Sequence, residues 1–351
     1  MSISYRGRNG DNGQTGQWPQ VQSWLILLII LYLLLPTPIW GATEEARNLE
    51  EAAPNSGVAL KEVKPPSTFG PIITGTAVPA ARGEFEIKAT WLVEVVRDRF
   101  SPSWRSVSAG GDFTSFSMLL EFTYGLIDNM EMAFELVPYI HNWADHVTEP
   151  GPLGEHQADF GGLGDMYLSF KYQLIPEGPK TPTVTGLFGI VFPTGHHAGC
   201  LPSHLGTDEL GDGTYAFRIG FNLAKWLPPF KLYANLWYNM HTDYTGDGEY
   251  VQGNTLLVRY HPRDTVTVKL AAEYPLTGRW ISLLELYSTW DGGRLLGPHP
   301  NKEPTARLGT VPGIEYIANH NLSMALGLCI DLIGKNKEAC LTPIFSMKYV
   351  F

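Results

Sequence analysis

Four residues within nine positions, in His196-His197-Ala-Gly-Cys200-Leu-Pro-Ser-His204, are of the types that bind a soft divalent metal, and Asp208, Glu209 and Asp212 follow closely. Imidazole and thiolate together suit zinc-like ions, so His196, His197, Cys200 and His204 form the metal candidate. Their spacing matches no tight zinc pattern, and long aqueous loops gather such side chains without binding anything. Hydrolytic chemistry finds less support. None of the ten histidines is followed two positions later by serine, the spacing that sets both groups on one strand face in barrel lipases. Neither Gly-x-Ser-x-Gly nor the phosphate loop Gly-x-x-x-x-Gly-Lys-Ser/Thr occurs. No catalytic residue, and no cofactor, is expected.

A larger set of charged residues is spread along the chain at every second position. Glu94, Glu121, Glu135, Lys171, Arg218, Lys231, Lys269, Glu273, Glu285 and Asp331 each sit on the polar side of an alternating run. In Gly83–Val96, Phe85, Ile87, Ala89, Trp91, Val93 and Val95 oppose Glu84, Glu86, Lys88, Thr90 and Glu94, a strand pattern of period two. Similar runs cover 113–124, 130–140 (Met132, Phe134, Leu136 and Ile140 against Glu131 and Glu135), 165–174, 183–192 and 214–225. Further runs cover 230–241, 265–274, 280–290, 306–317, 322–332 and 341–351, making twelve. Such a pattern serves either a soluble sandwich or a membrane barrel whose apolar face meets lipid.

Composition and connections decide between them. Of 351 residues 44% are hydrophobic and only 17% charged, which excludes a disordered chain, and a net charge of -10 argues against a nucleic-acid partner. A mean hydropathy of -0.07 excludes a helical membrane bundle. Short links at 125–129, 175–181, 227–229, 275–279 and 318–321 alternate with long ones at 97–112, 141–163, 193–213, 242–264, 291–305 and 333–340. Short turns at one rim and long loops at the other are how outer-membrane barrels are built. Tyr124, Tyr274, Trp280, Tyr316 and Phe351 lie beside the short turns, where an interfacial girdle belongs. The last run, Phe345-Ser-Met-Lys-Tyr-Val-Phe351, has the alternation of a terminal strand read by the barrel-assembly machinery.

Trp24–Leu35 is an apolar run of 12 residues after Arg6 and Arg8, too short to span a membrane and suited to a signal peptide ending near Ala42. The expected organisation is a signal over 1–42, an acidic, proline-containing periplasmic arm over 43–82, and a barrel over 83–351. Cys200 and Cys340 fall near the outer strand ends, where an oxidising compartment allows a bond, while Cys329 points to the polar side.

Several segments resemble the MetA-pathway phenol-degradation family of outer-membrane β-barrel proteins. They are Gly162-Leu-Gly-Asp-Met-Tyr-Leu-Ser-Phe-Lys-Tyr172, Thr185-Gly-Leu-Phe-Gly-Ile-Val-Phe-Pro-Thr-Gly195, Glu273-Tyr-Pro-Leu-Thr-Gly-Arg279 and Glu315-Tyr-Ile-Ala-Asn-His-Asn-Leu-Ser323. Where that family has one strand before Tyr-Pro-Leu-Thr, this chain carries an interrupted stretch around Gly253–Tyr260. The resemblance implies a barrel that moves small hydrophobic or aromatic molecules, and it supplies no catalytic residues. The expectation is an all-β fold, a transmembrane antiparallel up-and-down β-barrel of about 12 strands, or 14 if Gly253–Tyr260 and a partner join the wall. Its expected role is a narrow conduit for small organic solutes in the bacterial outer membrane, set in outer-membrane lipid. The alternative is a structural or ligand-binding barrel with a closed, ion-paired lumen and binding outer loops.

Overall fold

The computed structural model describes residues 68–145, 154, 156–197, 202–251, 254–296 and 299–351; the expected signal over 1–42, residues 43–67 of the expected arm and Cys200 lie outside them. Seventeen strands follow one another among these residues. They are β1 Phe85–Phe100, β2 Ser106–Ile127, β3 Met130–Asp145, β4 Gln157–Gly162, β5 Met166–Ile175 and β6 Thr183–Phe192. Next come β7 Ala216–Leu227, β8 Phe230–His241, β9 Tyr244–Val251, β10 Asn254–Pro262, β11 Thr265–Pro275 and β12 Trp280–Asp291. The chain finishes with β13 Arg294–Leu296, β14 His299–Lys302, β15 Thr305–Ile317, β16 Leu322–Lys335 and β17 Lys337–Val350.

Twelve of the wall positions close on themselves. Each strand pairs antiparallel with its neighbours in the order β2-β1-β17-β16-β15-β12-β11-β8-β7-β6-β5-β3, and a β2–β3 ladder completes the ring. β4 pairs with the upper half of β3 and β5 with its lower half, so together they form one wall strand interrupted at Leu163–Asp165. The seam between first and last strands runs from Glu86↔Val350 to Phe100↔Lys337, and Phe351 N–H donates to the Phe85 carbonyl at 2.8 Å. Closure leaves no free edge in this ring of twelve strands, which a lipid environment requires.

The alternation places the large apolar side chains outside. Phe188, Ile219, Phe221, Leu236, Leu284, Leu286, Leu326 and Leu341 are all exposed. In water such a continuous apolar surface promotes aggregation; in a bilayer it is solvated. β7, β8 and β12 each run 12 residues, about 28 Å tall when tilted at about 45°, matching the apolar band of such barrels. At the short-turn rim, Trp280 packs on Tyr316 with ring centroids 4.7 Å apart and Phe230 on Tyr274 at 5.3 Å.

Two expectations are corrected here, on the outer links and on Ile140. The links at 97–112 and 333–340 are not loops: β1 and β2 continue as a paired hairpin to Phe100 and Ser106, and β16 turns into β17 through Asn336 alone. Hydrophobic alternation stops where a strand leaves lipid, so these extensions read as loop. As the twelve-strand expectation requires, the stretch at Gly253–Tyr260 adds no wall strand; β9, β10, β13 and β14 form a separate four-stranded sheet on the long-loop side. Ile140 faces inward, because a bulge sets Val137 and Pro138 against Leu119 alone, and that one extra residue reverses the parity beyond it. Residues 69–80, the last part of the stretch read as an arm, lie against the inner wall.

Candidate functional site

The segment Thr68-Phe-Gly-Pro-Ile-Ile-Thr-Gly-Thr-Ala-Val-Pro-Ala80 holds two prolines and two glycines and pairs with no strand. Its backbone donors therefore need side-chain partners, and the polar inner face supplies them. The N–H groups of Ile72, Ile73 and Thr74 all converge on the Glu285 carboxylate, at 2.6 to 3.2 Å. Successive amides pointing at one anion form a nest, here closed by the protein's own acid. Gly75 N–H donates to Asn235 Oδ1 at 2.7 Å and the Asn235 amide returns a bond to Gly75 O at 3.0 Å. Further along, Asn222 and Thr185 donate to the carbonyls of Thr76 and Ala77, and Ala80 N–H reaches Glu131 Oε2 at 2.6 Å. At the other end Phe69 N–H donates to Glu315 Oε1 at 3.2 Å. Lys88 and Lys269 cap the carbonyls of Ile72 and Ile73 at 2.9 and 2.7 Å.

Packing anchors the same segment. Ile72 joins Ile281, Leu283, Ala325 and Ile344 in an apolar cluster on the inward positions of β12, β16 and β17. Its Cδ1 sits where a side chain at Gly313 or Gly327 would begin, within 2.8 and 2.6 Å of the missing Cβ. The wall is hollowed there for this isoleucine. The segment thus runs around the inside of the barrel from β3 to β15 as a floor, a few residues above the short-turn rim.

Above the floor the inner side chains change character. Glu131, Asn222, Asn235, Glu273, Glu285 and Glu315 are buried at floor level, whereas Lys88, Glu121, Glu135, Tyr167, Arg218, Trp237 and Lys269 are only half-buried. These seven line a water-accessible chamber. The Arg218 guanidinium lies 4.6 Å from the Tyr167 ring centre and 5.0 Å from that of Trp237, and its Nε donates to Asn239 at 2.7 Å. The Lys269 ammonium is 4.5 Å from the Trp237 ring centre. Aromatic faces therefore hold these cations in place. Tyr167 reaches Arg218 by crossing Gly189 on β6, where any side chain would collide with its ring.

The charges singled out in the sequence consequently fall into separate groups. Glu121, Glu135, Arg218 and Lys269 surround the chamber. Glu273 and Glu285 lie in the floor, with Lys231 opposite Glu273 in register and 5.3 Å from the Tyr233 ring centre. Lys171 pairs with Glu131 at 2.5 Å. The Asp331 side chain is fully buried, accepts from Tyr287 OH at 2.5 Å and lies 3.6 Å from Arg307. Cys329 donates to that same Tyr287 oxygen at 3.0 Å; Cys329 and Cys340 are both free thiols. Glu94 stands by this group and interacts with Arg307 and Lys337. The sequence reading, built on charge, passed over Tyr167, Trp237 and the amides of Asn222 and Asn235. Trp237 carried a signal, as an aromatic on the polar parity of its strand.

The loop after β6 roofs the chamber. Asp165 accepts from Gly195 N–H at 2.9 Å and Asp212 N–H at 2.8 Å, and Thr194 donates to Gly164 O at 2.9 Å. Asn142 donates to Thr207 O at 2.8 Å. The Gly162-Leu-Gly-Asp165 and Pro193-Thr-Gly195 motifs are thus two halves of one clasp. Within this loop His196 and His204 both turn to Asp208, the first to its carbonyl at 2.7 Å and the second to its carboxylate at 3.1 Å. His197 instead packs edge-on against Tyr244 at 4.6 Å. Among the described residues no three His, Cys, Asp or Glu side chains are arranged to hold a metal ion. Where the outer sheet begins, Asp243 lies 2.8 Å from His261 and 2.9 Å from Arg259; the hydrogen bond from His261, then the Arg259 contact, hold its carboxyl below the usual range.

Comparison with known proteins agrees with this architecture. Residues 75–332 match the family described as “Putative MetA-pathway of phenol degradation”. Among solved structures, the COG4313 outer membrane channel from Pseudomonas putida F1 superposes with a TM-score of 0.64 at 14% identity, over 80% of this chain and 100% of that one. The translocator domain of the autotransporter NalP from Neisseria meningitidis gives 0.46 at 13% identity, over 77% and 89%. The toluene transporter TbuX from Ralstonia pickettii gives 0.38 at 9% identity, over 78% and 90%. No curated protein sequence matches the chain.

Proposed function

Because the chain belongs to the MetA-pathway phenol-degradation family, we propose that it is a bacterial outer-membrane conduit for small organic solutes, aromatic ones included. The observation that carries this reading is the half-exposed chamber within a closed twelve-strand wall: solute entering past the β6–β7 loop meets charged and aromatic side chains. The structure with TM-score 0.64 is named a channel, which supports the same reading. The protein reaches its membrane through the Trp24–Leu35 signal, and its last strand, ending at Phe351, is the handle for the barrel-assembly machinery. Its chemistry is binding and passage.

The floor favours a second reading. At least eight backbone hydrogen bonds tie residues 69–80 to the wall, so the resting barrel is narrow and suits a ligand-binding cup with a closed base. Liposome swelling separates the two. A conduit admits small neutral solutes at a low rate, and deletion of residues 69–80 raises that rate. A cup admits none before deletion.

A further inference from the structure

Resting on the reading of the lumen as a solute path, we propose that the chamber is a binding site for small aromatic monoanions, a carboxylate or phenolate, held by Arg218 and Lys269. Cationic donors are left over there. Around the chamber, Lys171 pairs with Glu131, Lys348 with Glu86 and Arg307 with Asp331. Glu285 accepts three floor amides and Glu315 one, and Lys231 stands opposite Glu273. None of these arrangements uses Lys88, Arg218 or Lys269. Those three cations share the chamber with Glu121, Glu135 and the charge of Glu285, so the count balances, yet Arg218 and Lys269 make their hydrogen bonds to Asn239 and Ile73 rather than to a carboxylate. Lys269 feels Arg218, Glu285, Lys88 and Glu135, and the three cations act on Glu135, so these groups form one electrostatic unit.

Positions matter as much as the count. Arg218 is fixed by two aromatic faces and the Asn239 oxygen rather than by a carboxylate. A guanidinium presented in this way is set to receive a planar anion in bidentate fashion. Lys269 stands on β11, across β8 from Arg218, gives one hydrogen to Ile73 O, and retains two donors. Glu121 and Glu135 stand on β2 and β3, paired with each other in register. The chamber therefore carries a transverse field, positive toward β7 and β11 and negative toward β2 and β3, which orients a solute with one charged end. Leu187 and Val191, on the inward parity of β6, offer an apolar surface to the ring. A hydrocarbon gives these donors no acceptor, and an organic cation meets Arg218 and Lys269 with like charge.

The test uses benzoate, with benzyl alcohol as its neutral counterpart and benzylamine as its cation. Binding to the full-length protein in detergent, near neutral pH, is read by calorimetry and by quenching of tryptophan fluorescence. Benzoate is expected to bind at least about tenfold more tightly than benzyl alcohol, a difference of about 1.4 kcal/mol. Arg218→Gln weakens benzoate by a similar factor, while Glu135→Gln tightens it; the opposite signs separate recognition from a folding defect. Equal affinity for the three probes, or two variants that move in the same direction, overturns the inference. Vesicle uptake tests the conduit separately. Benzoate binding without passage of any solute upholds the site and removes the conduit, whereas passage with no charge preference does the reverse.

Discussion

Glu285 shows how little of a residue's role its own position reveals. The alternation places it inside the barrel, and an inward acid suggests a pore lining. In the folded chain it is fully buried and receives three amides from residues 72–74. Hydrogen bonds to a charged acceptor contribute about 1.5–3 kcal/mol each. Glu285→Gln, which keeps the shape and removes the charge, is expected to loosen the floor by about 2–4 kcal/mol. Protease cleavage within residues 68–82 should then accelerate markedly; unchanged protection contradicts the assignment. A companion change, Gly327→Val, fills the hollow that receives Ile72. Overpacking of this kind costs about 1–3 kcal/mol, and the same cleavage assay reads it. The partners of Glu285 were not legible because residues 68–82 have no periodicity and bond through backbone, which leaves no mark on side-chain type. Trp237 was legible in principle, since an aromatic on a polar parity has to be explained by the interior.

At the scale of elements, the reading from sequence succeeded where lipid imposes a two-sided environment. All twelve alternating runs are wall strands, and the short turns fall where they were expected. It failed beyond the bilayer, where both faces of a strand meet water and nothing enforces alternation. The upper β1–β2 hairpin, the β16–β17 turn and the outer sheet all belong to that zone. Ile140 failed for a different reason, a bulge that reverses parity within a strand. Face assignment makes a direct prediction. Leu236 points to lipid from the middle of β8, so Leu236→Arg should destabilise the folded barrel by about 2–4 kcal/mol. Thr267, inward on β11, should accept Lys at a cost below about 1 kcal/mol. Urea titration of folding into lipid vesicles measures both; equal penalties would mean that the faces are misassigned.

For the whole molecule, three layers stand on one axis: a floor drawn from the chain's own residues 68–82, a chamber with aromatic-held cations, and a roof clasped by Asp165. Sequence motifs marked the roof, since Gly162–Asp165 and Pro193–Gly195 are the two sides of its clasp. Charge marked the chamber, and nothing marked the floor. The central claim is that the lumen is a solute path which this floor narrows. Single-channel conductance in a planar bilayer tests it most directly, comparing the whole protein with a form lacking residues 69–80. The account predicts small, stable steps for the whole protein, several-fold larger steps after deletion, and a reduction of both by benzoate. Silence from both folded forms, or identical steps, would contradict it.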